Sequence, residues 1–330
     1  STYPYPDFKP ERTKSYEVGI NARFLNGRIS FDGTFYQSNT YNQTFLSVMS
    51  PATGYSGFYV QAGNVRNRGV EMTLGYNDTF GKVNYSTHLT YTANQNKIVE
   101  MVHDYRNPID NSLVNITELT LKEAGDVYLR EGYSMSDVFT TGILQRGRDG
   151  KLVEEGNGYQ VDRSQRIRLG SADPDFTMGW RHDINYKNIS LGLMITGRFG
   201  GIVTSQTQAF MDAFGVSKVS AEARDNGGVM LDGHRYDAER YYNTVGGQGL
   251  MRYYTYDATN VRLQELSLTY SLPKKWLGDV FNNATISFVG RNLFMFYRKA
   301  PFDPDMNGST GTYNRSDFFM APSLRNLGFS

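Results

Sequence analysis

Tyrosine and arginine are concentrated in one polar stretch of the sequence, between Gly200 and Asn260. A tyrosine offers an aromatic face for stacking and a hydroxyl for hydrogen bonding, which suits a sugar ring or a peptide backbone at a wet surface. The alternative is that these rings pack the segment against its neighbours, and the sequence leaves both interpretations open. The candidates for contact with a substrate or a protein partner are Arg224, Arg235, Tyr236, Tyr241, Tyr242, Tyr253, Tyr254 and Tyr256.

Two further features belong to the polar segments. A short helix is predicted over 204–214, with Phe210 and Phe214 buried. The longest loop is predicted from Gln95 to Pro174, and its Asp149-Gly150 pair is typical of a hairpin turn. A loop of this length is expected to be functional, either as a vestibule or as a seat for a partner.

The residues that commonly carry catalysis or bind metals show no productive spacing. Asp303 to Gly308 imitates the start of a calcium loop, but the twelfth position is Asn314 where a bidentate Glu is required, so a turn is favoured. The chain contains no cysteine and none of the common hydrolase, zinc-protease or phosphate-loop motifs. We therefore expect no enzymatic activity, no metal and no cofactor. Ligand spacing is also missing among the four histidines, His88, His103, His182 and His234.

The elements that position these groups are predicted to be β-strands, because apolar residues recur at every second position. In the first such segment the apolar side chains fall on one face and the polar ones on the other. The pattern returns in segments that form four hairpins, and a ninth strand begins at Leu324. The apolar residues of the first segment are Tyr16, Val18, Ile20, Ala22 and Phe24.

Strand length and loop rhythm favour a membrane. Each strand has about ten residues, which is enough for a tilted strand to cross the hydrocarbon. Short turns alternate with long loops, as in outer-membrane β-barrels with short periplasmic turns and long extracellular loops. Arg181, Asp183 and Arg198 would then face a water-filled or plugged lumen. A soluble β-sandwich also alternates and is the competing fold.

Composition is compatible with this interpretation. A mean hydropathy of −0.50 would ordinarily indicate a soluble protein, but only alternate residues of a barrel strand meet lipid, and its loops are polar. No apolar run is long enough for a transmembrane helix. A formal net charge of +1 and the absence of a basic cluster argue against nucleic acid as a partner.

The strand count predicts a part of a larger barrel. If the first two strands meet at a periplasmic turn, the first and ninth strands run in the same direction, and the two ends of the chain lie on opposite sides of the membrane. Complete bacterial barrels have an even number of strands and close without unpaired edges. We therefore expect an additional N-terminal portion and a few more residues after Ser330.

Four motifs carry a family resemblance. Residues 8–19, FKPERTKSYEVG, resemble a segment of TonB-dependent outer-membrane receptors. Residues 62–71, AGNVRNRGVE, and residues 257–270, DATNVRLQELSLTY, are similar to signatures of their SusC-like branch. So are Gly290 to Phe294, GRNLF, and Phe302 to Pro304, FDP. The order and spacing of these segments over the whole chain make the resemblance specific.

The resemblance implies both a fold and a function. Members close 22 antiparallel strands around an N-terminal plug, so residues 1–330 would be the C-terminal part of the barrel, with plug and TonB-box absent. The implied activity is import of oligosaccharides or short peptides across the outer membrane of a Gram-negative bacterium. A SusD-like surface lipoprotein would be the partner and TonB the energy source. The alternative is a passive porin-like channel or surface anchor without TonB coupling.

Overall fold

One antiparallel sheet of nine strands dominates the computed structural model, which describes residues 2–3, 8–48, 50–106, 111–121, 127–278, 281–305 and 316–330. The order of the strands in the sheet follows their order in the chain. They are β1 (Arg12–Phe24), β2 (Ile29–Tyr41), β3 (Asn64–Phe80), β4 (Val83–Glu100), β5 (Phe176–Tyr186), β6 (Ile189–Phe199), β7 (Asn260–Ser271), β8 (Thr285–Arg298) and β9 (Asn326–Phe329).

The connections alternate in length as the sequence predicts. Residues 25–28, 81–82, 187–188 and 272–284 connect strands at one end of the sheet, which we call the short-turn end. Residues 42–63, 101–175, 200–259 and 299–325 connect strands at the opposite, long-loop end. The first short turn places Leu25, Asn26 and Gly27 at positive φ, a region that Gly and Asn tolerate best.

The apolar face of the sheet is continuous from strand to strand. Val18 on β1 lies opposite Phe35, and Phe35 lies opposite Val70 on β3. These side chains are exposed rather than buried: Val18 is 67% exposed and Trp180 on β5 is 46% exposed. A sandwich would bury this face under a second sheet, so that alternative is wrong. Its exposed members include Val18, Ile20, Phe35, Leu74, Trp180, Ile184, Ile189, Leu268, Ile286, Leu327 and Phe329.

The polar face carries a chain of ion pairs that extends over β5, β7 and β8. The Arg181 guanidinium on β5 lies 2.9 Å from the Asp183 carboxylate and 3.7 Å from Glu265 on β7. Glu265 in turn lies 3.1 Å from Arg291 on β8. Charged side chains on this face of the sheet require water or polar partners, because an unpaired charge in an apolar medium is costly.

The hydrophobic cores lie at the long-loop end. The tyrosine lobe joins residues from loops 101–175 and 200–259, and it consists of Leu144, Leu152, Tyr159, Ala209, Tyr236, Ala238, Tyr241, Tyr242, Val245, Leu250 and Tyr254. A second core lies where β3 and β4 extend beyond the other strands, and it consists of Phe45, Val60, Ala62, Val65, Ile98, Met101, Leu119, Leu121 and Leu129. A smaller third core consists of Val203, Ala258 and Ala300.

The described residues form four helices beside the sheet: α1 (Gln206–Ala213), α2 (Lys218–Asp225), α3 (Ala238–Val245) and α4 (Lys274–Leu277). Two 3-10 turns cover Pro51–Thr53 and Met251–Tyr254. None of the helices in the described ranges is long and apolar enough to cross a membrane. The first three helices lie in loop 200–259, and the fourth lies in the connection between β7 and β8.

Short strands organise the long loops. Gln43–Val48, Gly57–Ala62 and Thr2–Tyr3 form one small sheet, and Ile202–Ser205 pairs with Thr255–Asp257 and Ser316–Asp317 in another. The remaining pairs are Val102–Arg106 with Leu113–Ile116, Glu118–Thr120 with Tyr128–Arg130, Asp137–Thr140 with Ile167–Ser171, Ile143–Leu144 with Val161–Asp162, Glu154–Glu155 with Gly158–Tyr159, and Val229–Leu231 with His234–Tyr236.

Two predicted element boundaries need correction. The longest loop begins after Glu100 rather than at Gln95, because β4 extends to Glu100. The additional residues of the strand include Ile98, which is buried in the second core. The ninth strand begins at Asn326 rather than at Leu324. These shifts leave the number and order of the strands as predicted.

The hairpin at Asp149-Gly150 is confirmed only in its tip. A bridge joins Arg146 to Leu152, and the Val153 N–H donates to the Gln145 carbonyl. The flanking strands pair elsewhere, since Ile143–Leu144 pairs with Val161–Asp162. The segment that connects these paired strands is therefore longer than the connection of a simple hairpin.

An arginine on the apolar face should destabilise the protein in the membrane. Leu193 lies near the middle of β6, opposite His182 and Leu266. Leu193→Arg places a charge against acyl chains, so we expect a loss of about 2–4 kcal/mol in the free energy of unfolding. Urea titration of the protein in lipid vesicles, scored by heat-dependent gel migration, measures this loss.

The matched control is the adjacent residue. Met194 lies on the polar face, opposite Arg181 and Glu265, and Met194→Arg should cost less than about 1 kcal/mol. Equal losses at the two positions would show that the faces are misassigned.

Candidate functional site

The predicted contact residues separate into two groups in the structure. Tyr236, Tyr241, Tyr242 and Tyr254 are buried inside the tyrosine lobe, Tyr254 being only 2% exposed. The second group lies at the surface of the lobe: Tyr253 and Tyr256 are half-buried, and Arg224 and Arg235 are exposed.

The buried rings hold the two longest loops together. The hydroxyl of Tyr236 accepts a hydrogen bond from the Leu152 N–H at 3.1 Å, and its ring contacts that of Tyr159 with centroids 5.6 Å apart. Tyr253, at the lobe surface, uses its hydroxyl in the same way toward the Leu144 N–H at 3.1 Å. Packing between loops, the alternative to ligand contact, therefore accounts for the burial of the four interior tyrosines.

Capped helices place these tyrosines. Asp237 precedes α3, and its carboxylate accepts from the Arg240 N–H at 2.8 Å, which satisfies an otherwise unpaired helix donor. Ser205 caps α1 in the same way, through the Gln208 N–H. These caps fix where the helices begin and which face each turns toward the lobe.

The predicted helix before this segment exists, but its predicted burial is wrong. Phe210 is exposed and Phe214 is 77% exposed, whereas Ala209 and Asp212 are the buried residues of α1. Ala209 packs into the tyrosine lobe, and the phenylalanine rings are left outside it. The ring of Phe210 instead lies near Phe318, with centroids 6.0 Å apart.

Burial changes the acidity of the lobe tyrosines. It raises the pKa of Tyr256 to about 12, and the nearby Asp212 carboxylate adds to the effect. Burial likewise raises the pKa of Tyr254 and Tyr241, again with a contribution from Asp212. These hydroxyls are therefore protonated at neutral pH and supply no charge.

The residues predicted to face the lumen lie on the polar face. Arg181 and Asp183 belong to its ion-pair chain. Arg198, at the long-loop end of β6, lies 3.4 Å from Asp305 and donates to the Ala172 carbonyl. Arg198 therefore joins the strand to two different loops.

A buried charge network joins loop 299–325 to the sheet. Arg262 on β7 is only 7% exposed at its side chain and donates to Asp303 at 2.9 Å, Asp305 at 2.6 Å and Asn292 at 3.0 Å. Burial acts to raise the pKa of Asp303, but hydrogen bonds from Ser323, the Asp305 N–H and Arg262 outweigh it and hold that pKa below its ordinary value.

Sequence reasoning considered these aspartates as part of a turn or as metal ligands, favoured the turn, and did not pair them with Arg262. The signal that was available is the opposite charge of two motif segments, Val261 to Leu263 and Phe302 to Pro304. Within the described ranges no cluster suitable for a metal ion is present. Asn314, the twelfth position of the calcium-like segment, lies outside those ranges.

A cavity of about 600 Å³ lies between the two longest loops. One wall comes from residues 127–141 and 163–169, and the other from residues 204–206 and 248–251 with Ser316. Arg163 and Arg166 are its positively charged members, and they come from a segment with three arginines in six positions, RSQRIR. That density of arginine was an available signal that the sequence analysis did not use.

Comparison with known proteins extends these observations. Residues 1–196 match the family model described as TonB dependent receptor-like, beta-barrel. The chain is 25% identical over 328 residues to TonB-dependent receptor P3 of Formosa agariphila, covering 94% of this chain and 32% of that protein. It is 25% identical over 321 residues to TonB-dependent receptor P26 of the same bacterium, covering 91% and 32%. The chain thus spans about a third of the length of these curated relatives.

Solved structures share the fold. The RagAB peptide importer in its closed-closed state superposes with a TM-score of 0.69 at 18% identity, covering 96% of this chain and 35% of that chain. In the open-open state the TM-score is 0.68 at 18% identity, covering 99% and 35%.

The fold and the matches define an antiparallel β-barrel protein of the outer-membrane class. The chain belongs to the TonB-dependent receptor-like β-barrel family. This family consists of transporters and receptors rather than enzymes, and the resemblance carried by the four sequence motifs is confirmed at the level of the family.

Loss of Arg262 should destabilise the long-loop end. Arg262→Met leaves two carboxylates with fewer cationic partners in a site of low exposure, and we expect about 3 kcal/mol less stability in urea unfolding at neutral pH. Because the pKa of Asp303 is lowered in the folded state, this difference should persist above pH ~4 and shrink as the pH falls below it.

Two variants serve as controls for Arg262. Arg291→Gln removes an ion pair whose arginine side chain is 64% exposed, and it should cost less than about 1 kcal/mol. Adding Asp303→Asn to Arg262→Met should recover part of the loss. A difference between wild type and Arg262→Met that does not change with pH would contradict the electrostatic explanation.

The buried tyrosines should make the lobe sensitive to alkali. A tyrosine whose pKa is raised by folding contributes fully below its unfolded value of ~10, and this contribution is lost as the pH rises toward the folded pKa. We expect unfolding to become easier between pH 10 and about 12, the pKa of Tyr256. Absorbance at 295 nm follows the ionisation of the tyrosine hydroxyls. Tyr256→Phe should reduce the part of the absorbance change that occurs near pH 12. Ionisation of all 24 tyrosines near their ordinary pKa, with the fold intact, would contradict this expectation.

Proposed function

We propose that this chain forms part of the wall of an outer-membrane importer in a Gram-negative bacterium, which takes up short peptides or oligosaccharides with energy delivered through TonB. The observation that carries the proposal is the separation of the nine-stranded sheet into an exposed apolar face and an ion-paired polar face. Membership of the family supports the proposed coupling to TonB.

The long-loop end is proposed to face the cell exterior and to meet a SusD-like surface lipoprotein. Its loops are folded around their own cores rather than being simple connections. A folded rim offers a preorganised surface, which lowers the entropic cost of binding a partner or a substrate. The similar RagAB structures are described as a peptide importer, and this description favours peptides as the first substrate class to test.

Uptake should depend on both the gene and TonB. In cells expressing the intact protein, accumulation of fluorescent peptides should fall to the level of a gene deletion when TonB is removed or the proton gradient is collapsed. Diffusion of a small solute through an unrelated porin serves as the control and should not change.

The outcomes separate the candidate functions. Gene-dependent uptake that continues without TonB would identify a passive channel. Gene-dependent uptake of oligosaccharides but not of peptides would assign the other substrate class. Uptake of neither class in a strain that displays the protein would contradict the proposal.

A further inference from the structure

The cavity between the two longest loops carries an excess of positive charge. Arg163 donates only long hydrogen bonds of 3.4 Å to Gln248, and Arg166 contacts the ring of Tyr128 at 4.3 Å from its centroid. In the described part of the chain neither arginine has a carboxylate within ion-pair distance. An exposed guanidinium held by a cation–π contact keeps its N–H donors available for an anion.

Among the described residues that line the cavity, the one carboxylate is already neutralised. Asp137 is buried, and its oxygen lies 2.6 Å from the Arg168 guanidinium and also accepts from the Arg168 Nε–H at 2.8 Å. The other carboxylate oxygen accepts from the Ser134 N–H at 2.7 Å. The charge of Arg166 is partly balanced by Glu118, whose pKa is held below its ordinary value by a hydrogen bond from Tyr128 and by the charges of Arg130 and Arg166. The charge of Arg163 is not compensated from within the described cavity lining, and a carboxylate is a complementary ligand group for the two arginines.

A free strand edge lies in the same wall. The strand Asp137–Thr140 pairs with Ile167–Ser171 on one side, and no second strand of the described residues pairs with its other side. At the start of this strand the Asp137 N–H already donates to the Ser134 carbonyl at 3.1 Å, so the positions left for a ligand are those that follow Asp137. Consecutive residues from Ser136 to Thr141 line the cavity, so the strand presents its edge to the space. An unpaired edge is a template for an added strand, with backbone hydrogen bonds for affinity and side-chain pockets for specificity.

Size and lining suit a short extended ligand. A volume of about 600 Å³ is within the range of ligand pockets. Apolar side chains from both walls, including Val138, Phe139 and Met251, lie among polar ones such as Gln206 and Gln248. A mixed surface of this kind accommodates alternate side chains of an extended chain.

We propose that this cavity binds an extended acidic peptide, whose backbone pairs with the free edge of strand Asp137–Thr140 and whose carboxylate is held by Arg163 and Arg166. The inference rests on the proposed importer function and narrows its substrate class to peptides that carry a carboxylate near one end. A sugar acid shares the carboxylate but has no backbone to continue a β-ladder, so the strand edge favours a peptide.

The test uses the intact protein purified in detergent and fluorescence anisotropy of a labelled octapeptide. The first probe carries two Asp residues and a free C-terminal carboxylate; the second has Asn at both positions and an amidated C-terminus. A third probe repeats the first with N-methyl groups at alternate backbone nitrogens. We expect the acidic peptide to bind about tenfold more tightly than the neutral one, and N-methylation to remove most of its affinity.

Variants assign the effect to the cavity. Arg163→Gln and Arg166→Gln should each weaken binding of the acidic peptide by about 3–10-fold and change binding of the neutral peptide by less than about twofold. The matched control is Arg148→Gln, an exposed arginine outside the cavity lining, which should bind both peptides as wild type does. Heat-dependent gel migration establishes that each variant is folded, and the peptide comparison on wild type needs no variant.

Each result decides a different point. Equal binding of the acidic and neutral peptides, or unchanged binding in both arginine variants, would overturn this inference while leaving peptide import intact. Tight binding of tetragalacturonate that the arginine variants lose, with N-methylation of the peptide having no effect, would overturn the peptide assignment of the cavity. Uptake of neither peptides nor oligosaccharides in cells that display the protein would instead count against the proposed function itself.

Discussion

The structure depends on one constraint: neighbouring residues of every long strand point into different surroundings while their backbones remain paired. Each strand from β1 to β9 pairs with its neighbours, with register shifts at β3–β4, β6–β7 and β7–β8, so most backbone N–H and C=O groups inside the sheet are satisfied by adjacent strands. Satisfied backbone is what permits an apolar face such as that of Trp180 and Leu268 to lie open. In water the same face would be a strong aggregation surface, and in hydrocarbon it is solvated.

Because of this constraint, the hydrophobic cores lie at the long-loop end of the nine-stranded sheet. Since one face is solvated by lipid and the other carries ion pairs, the buried apolar residues collect where the chain leaves the sheet. The tyrosine lobe holds two loops together, and Arg262 joins a third loop to the wall. The cavity with Arg163 and Arg166 lies between surfaces that these contacts keep in place. Rigidity of the rim is thus a consequence of how the loops pack on one another.

The parts that sequence reasoning predicted are those determined locally. The alternation that places Val18 and Ile20 on one face needs only the period of a strand, so strand number, order and turn rhythm follow from it. Contacts between residues far apart in the sequence could not be predicted from this local period. The hydroxyl of Tyr236 binds the backbone of Leu152, 84 positions away, and no local pattern distinguishes such a ring from a surface tyrosine. Phe210 was misplaced for the same reason, because α3 and not α1 decides which side of the helix is covered.

The most direct test exploits the absence of cysteine from residues 1–330, which allows single spin labels to be attached without background from this part of the protein. Labels placed one at a time along β6, from Ile189 to Gly197, in the protein reconstituted in bilayers would report collision rates with oxygen and with a water-soluble nickel chelate. The account predicts alternation: labels at Ile189, Leu191, Leu193 and Ile195 meet oxygen, and labels at Ser190, Gly192, Met194 and Thr196 meet the chelate. Uniform accessibility along the strand, or alternation with the opposite parity, would contradict it.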